Sequence, residues 1–359
     1  MLSILIINSN SHGAYAFYRG SLPLVRLSKQ YPNTFTLTPA ASAELVDTDM
    51  LRACDVVFLM RPDTSEELSL VRRAQWLGKR VWVDYDDDFW SIQDYSPVAD
   101  IYKRNIVIVE SILKEADTVS VSTAALQQRM KTFNTNCLVI PNAHDEVTFP
   151  LSRKLKSPNN KVAVWRGSHT HEEDLYEYRE EIVELVNKHR DWQWHFMGDR
   201  RIFIGKHVTD AQMGGNAYFH QPTPLSAYFD VLYRLNPSLC FVPLLLDTFN
   251  CSKSSIAWME SCYAGAGCVA PDLPEWKKPG ISNYRNPQEF LEAMDNAVYY
   301  LERGYTFFNE KGWAYIKDNL LLSEVNKLRY QMLTSEATTK KSPIEAIGNP
   351  NELVWRKPV

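Results

Sequence analysis

The chain has 359 residues, of which 45% are hydrophobic and 12% aromatic, enough to bury a large core and to divide into two domains. A formal net charge of -4 gives no overall electrostatic reason to expect nucleic-acid binding. The six cysteines include no CxxC pair, so we expect reduced thiols. The N-terminus lacks a signal peptide, and no apolar stretch reaches the roughly 20 residues that span a bilayer. We therefore expect a soluble, cytoplasmic protein with no integral membrane association.

Short apolar runs alternate with helical patterns through the first part of the chain. Helical spacing at 64–78 opens with a Thr64-x-x-Glu67 capping box, and a second helical pattern covers 100–116. Runs rich in valine and isoleucine predict buried strands at 2–8, 55–60, 80–85, 117–122 and 137–142. Strands that alternate with helices predict a parallel sheet covered on both faces, and therefore one α/β domain over residues 1–145.

The rhythm breaks at residues 146–160, which are rich in Pro, Ser and Asn and predict a linker, and it restarts over residues 161–334. Predicted strands lie at 161–168, 192–199, 238–245 and 267–271, and predicted helices at 171–190, 225–236 and 254–266. Two successive α/β halves place a cleft where the C-terminal edges of their sheets face each other. The polar tail, 335–359, is either loosely ordered or crosses back to the first domain.

The densest cluster of functional side chains lies at residues 243–271, where the pattern predicts a strand end, a polar loop, a helix and a glycine break. Lys253, Ser254 and Ser255 stand at the helix start, where backbone N–H groups, hydroxyls and an ammonium suit a diphosphate. Glu260, on the helix itself, is a carboxylate that can accept hydrogen bonds from both hydroxyls of a ribose. The alternative is that the serines only cap the helix.

This stretch resembles the nucleotide-sugar signature of GT-B glycosyltransferases of the group-1 (GT4-like) type. In that family a Lys-Ser loop precedes a helix that carries a glutamate and ends in a small-residue turn, so the resemblance implies that Glu260 holds the nucleotide ribose. The likeness extends to residues 162–175, where Arg166, Gly167 and Ser168 match a turn that approaches the donor phosphates. The adjacent histidines, His169 and His171, have no third ligand nearby, which favours phosphate contact or capping over metal ligation.

Residues 4–27 resemble the opening strand and glycine-containing loop of the family's N-terminal domain. The likeness implies an acceptor-side or cleft position for His12, Gly13, Tyr18 and Arg19. In the second half, Asp199 follows a predicted strand and belongs either to the cleft or to a surface turn.

One position departs from the family pattern. Many group-1 enzymes carry two glutamates separated by seven residues, whereas Ser252 stands eight residues before Glu260, so the first carboxylate is absent. A donor-sugar contact from Asp247, Asn250 or a backbone group is the replacement we expect. The identity of the transferred sugar therefore stays open.

Four aspartates, Asp84, Asp86, Asp87 and Asp88, stand at and after the end of the strand predicted at 80–85. Such crowding indicates a metal, a cationic substrate, a proton transfer or a structural ion pair. Asp-x-Asp pairs of this kind resemble the metal site of single-domain GT-A glycosyltransferases, but this run and the expected nucleotide site lie in different halves. The position therefore favours an acceptor-side role without a metal, with Asp86 and Asp87 as candidate catalytic bases and Asp88 beside them. For Asp84 and Asp88 we favour a structural role, in which they cap the turn or bind Arg61, Arg80 or Lys79.

The resemblance implies an α/β protein of the GT-B type, with two Rossmann-like domains that face each other across a cleft. We expect it to move a hexosyl or pentosyl group from a nucleotide-diphosphate sugar, with a UDP-sugar favoured, to an acceptor hydroxyl, and to require no metal or other cofactor. Likeness to the phage DNA-modifying type makes hydroxymethylated pyrimidine in viral DNA one candidate acceptor. A glycan or lipid-linked acceptor, and a catalytically inactive nucleotide-sugar-binding protein, are the alternatives. Retention or inversion at the anomeric carbon stays open.

Overall fold

The computed structural model describes residues 1–8, 13–94, 96, 99–150, 160–305 and 307–335. These residues form two six-stranded sheets in which every pair of neighbouring strands is parallel. The first sheet contains β1 (Leu2–Ile6), β2 (Phe35–Pro39), β3 (Val56–Met60), β4 (Arg80–Tyr85), β5 (Thr118–Val121) and β6 (Cys137–Val139). The second contains β7 (Val162–Arg166), β8 (Gln193–Met197), β9 (Ala217–His220), β10 (Leu239–Phe241), β11 (Gly267–Pro271) and β12 (Ile281–Tyr284).

The strand order is β2-β1-β3-β4-β5-β6 in the first sheet and β12-β11-β10-β7-β8-β9 in the second. The central strands β3 and β11 are buried at every position, as expected for parallel strands covered by helices on both faces. All the strands predicted from apolar runs are present, and the predicted α/β fold class is confirmed.

Helices cover both faces of the first sheet. The capping box predicted at Thr64 is present, since the Thr64 side chain accepts from the Glu67 N–H and the Glu67 carboxylate accepts from the Thr64 N–H. The helices are α1 (Ala14–Arg19), α2 (Ser21–Gln30), α3 (Thr48–Ala53), α4 (Ser65–Trp76), α5 (Ala99–Glu115) and α6 (Ala124–Met130).

The second half contains α7 (Glu172–Glu177), α8 (Arg179–Lys188), α9 (Leu225–Leu235), α10 (Thr248–Ser252), α11 (Ile256–Ala264), α12 (Pro287–Glu302), α13 (Phe307–Asn319) and α14 (Leu322–Thr334). The single long helix predicted at 171–190 is wrong, because the chain breaks at Tyr178 between α7 and α8. The Tyr178 ring is buried, and its hydroxyl donates to the Leu244 carbonyl at 3.1 Å. Within the described ranges, each helix is too short or too polar to span a lipid bilayer.

Helix α14 packs on the first half although it follows the second half in sequence. Leu322, Val325 and Leu333 belong to the apolar core beneath β1 and β3. The Asn326 amide donates to the Pro23 carbonyl at 3.1 Å, and Tyr330 stacks on Tyr31. The sequence prediction placed residues up to 334 in the second domain and suggested that the tail crosses back. The structure assigns this crossing to α14, while residues 336–359 lie outside the described residues and the domain boundaries themselves stay a prediction.

A buried ion pair joins α1 to the end of β4. Arg19 donates to both carboxylate oxygens of Asp84, at 2.9 and 2.7 Å, and both side chains are almost fully inaccessible. The remaining guanidinium nitrogen donates to the Ile140 carbonyl, and Ser120 donates to Asp84. Contrary to the prediction, Arg19 is turned into the core of the first half and does not reach the cleft.

We predict that Leu333→Ala lowers the free energy of unfolding by about 2–5 kcal/mol, because it removes buried methyl groups from the shared core. Leu328→Ala, on the exposed face of the same helix, is the matched control and should change stability by less than about 0.5 kcal/mol. Urea unfolding of both variants measures the difference. Equal effects would mean that α14 is not held by the first core.

We predict that Asp84→Ala lowers the free energy of unfolding by about 3–5 kcal/mol, since it leaves the Arg19 guanidinium buried without its counter-charge. Asp49→Ala is the control, because Asp49 pairs with Arg52 on the surface, where an ion pair contributes less than about 1 kcal/mol. The urea midpoints of the two variants should separate clearly. A small effect of Asp84→Ala would show that water reaches Arg19.

Candidate functional site

The C-terminal edges of the two sheets face each other and enclose a cavity of about 140 Å³, which we call the cleft cavity. The first half contributes Asp86 and Asp87 from the aspartate run, and the second half contributes cationic, hydroxyl and aromatic side chains. Its polar and aromatic lining consists of Asp86, Asp87, Trp165, Arg166, His171, Lys253, Ser254 and Trp276. The aspartates after β4 and the Lys-Ser segment before α11, which are far apart in sequence, therefore share one cavity.

Hydrogen bonds between the two halves hold the cleft closed. Thr123 Oγ1 donates to the Ser252 carbonyl at 2.9 Å, and Asn142 Nδ2 donates to Ser254 Oγ at 2.7 Å. Gln93 also donates to Asp247. A site for a drug-sized ligand usually measures roughly 300–1,000 Å³. A ligand as large as a nucleotide sugar would therefore need more room than the cavity offers here.

Asp86 and Asp87 share one arginine at the rim of the first sheet. Arg61 follows β3 with a left-handed φ of 48° and contacts Asp86 through Nε and Asp87 through Nη2, the latter at 2.7 Å. Its guanidinium also lies over the Tyr15 ring, 4.9 Å from the centroid. A non-glycine residue in this backbone region is strained, and such strain is common at functional sites.

The pKa values of the two carboxyl groups are shifted in opposite directions. Burial and the neighbouring Asp86 charge raise the pKa of Asp87, and Arg61 and Lys253 only partly offset this rise. Burial by itself would raise the pKa of Asp86 as well, but the charge and hydrogen bond of Arg61 outweigh it and lower that pKa. Asp87 is thus the better proton acceptor of the two.

Asp88 does not line the cleft cavity, contrary to its predicted place beside Asp86 and Asp87. Its carboxylate accepts from the Trp90 N–H at 3.1 Å and from Ser91 Oγ at 2.9 Å, and Arg129 lies 3.6 Å away. The side chain is 2% exposed. It therefore caps the turn that follows β4.

Glu260 stands at the centre of a buried cluster that both halves build. Tyr18 from α1 donates to Oε1 at 2.7 Å, and Tyr228 from α9 donates to Oε2 at 2.8 Å. Arg166 Nε lies 2.8 Å from Oε2 as a close ion pair, although its N–H bond is not directed at that oxygen. Burial, followed by the charge of Glu260, raises the pKa values of Tyr18 and Tyr228, so both hydroxyls remain donors. Both carboxylate oxygens of Glu260, the residue predicted to bind a ribose, therefore already accept hydrogen bonds from tyrosine hydroxyls.

Lys253 supplies a cation to the cleft cavity without a matching anion in contact. Among the described residues, its ammonium makes no hydrogen bond and no ion pair, and it lies over the Phe249 ring at 4.6 Å. Burial lowers the pKa of Lys253, while Asp87, Asp174 and Asp247 act from a distance to raise it. In the same described ranges, the buried indole N–H of Trp276 also lacks an acceptor. The Lys253 ammonium is therefore a hydrogen-bond donor at the cavity that an anionic ligand can satisfy.

Gly167 lets aromatic rings close over the end of β7. A Cβ at this position would approach Trp165 Cζ2 to 2.5 Å and His171 Cδ2 to 2.9 Å, so any larger residue would displace these rings. Ser168 caps the 3₁₀ turn His169–His171, and both Ser168 and His169 are exposed and do not line the cavity. The third residue of this turn, His171, does line it.

The remaining predicted site residues lie elsewhere. Ser254 lines the cleft cavity, whereas Ser255 faces a smaller neighbouring one. Asp199 caps the next 3₁₀ turn and pairs with Arg201, whose hydrogen bond lowers the pKa of Asp199 to about 2. Gly13 is the N-cap of α1, and His12 lies outside the described residues.

His171, which the sequence offered together with His169 for phosphate contact or capping, is the histidine of the pair that lines the cavity. Its Nδ1 lies 2.8 Å from Asp174 Oδ2, and Asp174 is 2% exposed. The His-x-x-Asp spacing was the available signal, because these positions lie one turn apart at the start of a helix. His171 was considered together with the neighbouring His169, and only the structure separates their positions.

No group of three or more His, Cys, Asp or Glu side chains in the described ranges is arranged to hold a metal ion. The carboxylates nearest the cavity are occupied by Arg61. Metal independence itself stays a prediction.

Comparisons with protein-family models and with curated protein sequences find no match. Solved structures do resemble this one. Anabaena HepE, determined in complex with UDP, aligns with a TM-score of 0.64 and 12% identity over 93% of this chain and 100% of that one. The UDP-forming α,α-trehalose-phosphate synthase of Burkholderia vietnamiensis aligns with a TM-score of 0.60 and 10% identity, over 94% of this chain and 97% of that one.

TarM aligns with a TM-score of 0.57 and 12% identity over 78% of this chain, which spans 55% of TarM. Identities of 10–12% establish the fold alone. Together with the two parallel sheets and the cleft between them, these similarities show that the chain has the two-domain GT-B fold.

Proposed function

We propose that the chain is a glycosyltransferase that moves a sugar from a nucleotide-diphosphate sugar to an acceptor hydroxyl. The observation that carries this proposal is the cleft cavity itself, in which the unpaired ammonium of Lys253 and the Arg166 guanidinium face Asp86 and Asp87. Cations stabilise a departing diphosphate, and a carboxylate can accept the proton of the acceptor hydroxyl, so both assist sugar transfer.

The second half is suited to hold the donor diphosphate. Lys253 and Arg166 supply positive charge, and Ser254 lies at the entry to α11, a nine-residue helix whose N-terminus favours an anion. HepE was determined with UDP and the trehalose-phosphate synthase is named UDP-forming, which favours a UDP-sugar as the donor of this chain too.

Glu260 remains our proposed ribose ligand, on the condition that the cleft opens. Its two oxygens now accept from the Tyr18 and Tyr228 hydroxyls, and the paired hydroxyls of a ribose offer the same donors. Tyr18 belongs to the first half, so its release would accompany opening.

The first half is suited to activate the acceptor. Asp87 is the proposed base, because its raised pKa makes it the stronger proton acceptor, and Asp86 with Arg61 holds it in place.

The proposed acceptors are hydroxymethylated pyrimidine in viral DNA and, as alternatives, a glycan or a lipid-linked sugar. Incubation with a panel of nucleotide sugars and these acceptors, analysed by mass spectrometry, identifies the pair. Tight UDP binding without turnover of any donor would instead indicate an inactive binding protein.

We predict that Lys253→Met weakens UDP binding by about 10–100-fold, because a charge-assisted hydrogen bond to phosphate contributes roughly 1.5–3 kcal/mol. Lys188→Met is the matched control, since Lys188 pairs with Asp295 on the surface of the second half. Isothermal titration calorimetry with UDP measures both. Unchanged affinity of Lys253→Met would remove Lys253 from the donor site.

We predict that Asp87→Asn lowers kcat by about 10²–10⁴-fold while UDP binding persists, because an amide cannot accept the acceptor proton. In the unmodified chain, activity should fall as pH drops through the raised pKa of Asp87, since the protonated carboxyl is inactive. Asp49→Asn, at an exposed surface pair, is the control for transfer rate.

The acceptor-side proposal fails if Asp86→Asn and Asp87→Asn both leave transfer intact. The same assay with a chelator tests metal independence, which loss of transfer on chelation and recovery with Mn²⁺ would contradict.

A further inference from the structure

His171 is held in one orientation by a carboxylate that cannot move. Its Nδ1 lies 2.8 Å from Asp174 Oδ2, while Asp174 Oδ1 accepts from the Leu245 N–H at 2.8 Å and from Asn250 Nδ2 at 3.0 Å. Asp174 is 2% exposed. These bonds fix Asp174 to Leu245 in the loop after β10 and to Asn250 in α10, and Asp174 in turn fixes the imidazole.

The orientation leaves one ring nitrogen for the cavity. Because Nδ1–H donates to Asp174, Nε2 is the remaining nitrogen, and no described residue hydrogen-bonds to it. The ring packs over Gly167, where a Cβ would come within 2.9 Å of Cδ2, so the imidazole lies tightly against the end of β7. His171 therefore presents Nε2 as part of the cavity lining.

The charged groups around His171 oppose its protonation while the cavity is empty. Burial and the positive charges of Lys253 and Arg166 lower the pKa of His171, and only Asp174 acts to raise it. Asp86 and Asp87 line the first-half wall but are paired with Arg61. An anion bound against Lys253 and Arg166 would reverse this balance, because it would place negative charge beside the imidazole.

We propose that His171, oriented by Asp174, takes up a proton when a nucleoside diphosphate binds and donates an Nε2–H hydrogen bond to the diphosphate. This inference rests on the function proposed above for the cleft cavity. It adds a third cation to Lys253 and Arg166, and one that forms only when the ligand is present. The departing diphosphate gains negative charge in a sugar transfer, so His171 would bind it most strongly at that stage.

The test is calorimetric titration of the full chain with UDP at pH 7.5, in two buffers whose ionisation enthalpies differ. The difference between the observed enthalpies gives the number of protons taken up per UDP bound. We expect uptake that approaches one proton in the unmodified chain and is close to zero in His171→Asn. We also expect the Kd for UDP to rise with pH relative to that of His171→Asn, by up to about tenfold per pH unit.

His189→Asn is the matched control. His189 also pairs with an aspartate, Asp295, at 2.7 Å, but it precedes β8 and thus lies at the opposite edge of the second sheet. Its proton uptake should equal that of the unmodified chain. Asp174→Asn is a second variant that keeps the side-chain volume and should reduce proton uptake, because an amide stabilises the imidazolium less than a carboxylate does.

The outcomes separate this inference from the function on which it rests. If the unmodified chain binds UDP without proton uptake, or if His171→Asn takes up as many protons as the unmodified chain, the role of His171 is overturned and the donor site stands. If the unmodified chain binds no UDP, both proposals fail. A proton count near zero in the unmodified chain overturns the role of His171 even if a variant does not fold.

Discussion

Four aspartates within five residues can be buried at the end of one strand only if their charge is compensated. Two arginines compensate three of them, and Asp88 is held by the turn that it caps and by Arg129. Arg19 takes Asp84 into the core, whereas Arg61 holds Asp86 and Asp87 at the rim. Like charges at such spacing repel strongly in a low-dielectric setting, so the run cannot adopt this geometry without both partners. The Arg61 ion pairs position the two carboxylates that the first half presents to the cleft cavity, Asp86 and Asp87.

The second half has the complementary balance of charge. Glu260 neutralises Arg166, but Lys253 has no carboxylate in contact among the described residues, and burial disfavours its charge. An isolated buried cation is costly unless it is paired. The first-half carboxylates do not supply that pairing, because Arg61 already engages them. An anion that binds in the cavity would therefore stabilise the Lys253 charge.

The sequence predicted the central strands correctly because they are continuous apolar runs, and it missed β2, β9 and β12, which are edge strands with exposed, polar-rich positions. The sequence also gave no signal for the helix break at Tyr178, where the Tyr178 hydroxyl bonds to Leu244, 66 residues away.

For the candidate site, residue types predicted which side chains carry chemistry but not whether each side chain points into the core or towards the cleft. Arg19 and Arg61 are both arginines of the first half, and only tertiary packing decides that one enters the core while the other reaches the rim.

The closed cleft is compatible with a site that must admit a large ligand, because the contacts that close it are individually weak. Neutral hydrogen bonds such as Thr123 to Ser252 and Asn142 to Ser254 contribute about 1 kcal/mol each. Charge-assisted contacts of a diphosphate with Lys253 and Arg166 contribute roughly 1.5–3 kcal/mol each, enough to offset their loss. At Glu260 the exchange is close to neutral, since two ribose hydroxyls can replace two tyrosine hydroxyls in kind. Opening of the cleft would thus be driven by the negative charge of the diphosphate. The ribose hydroxyls would replace the hydrogen bonds that Glu260 loses from Tyr18 and Tyr228.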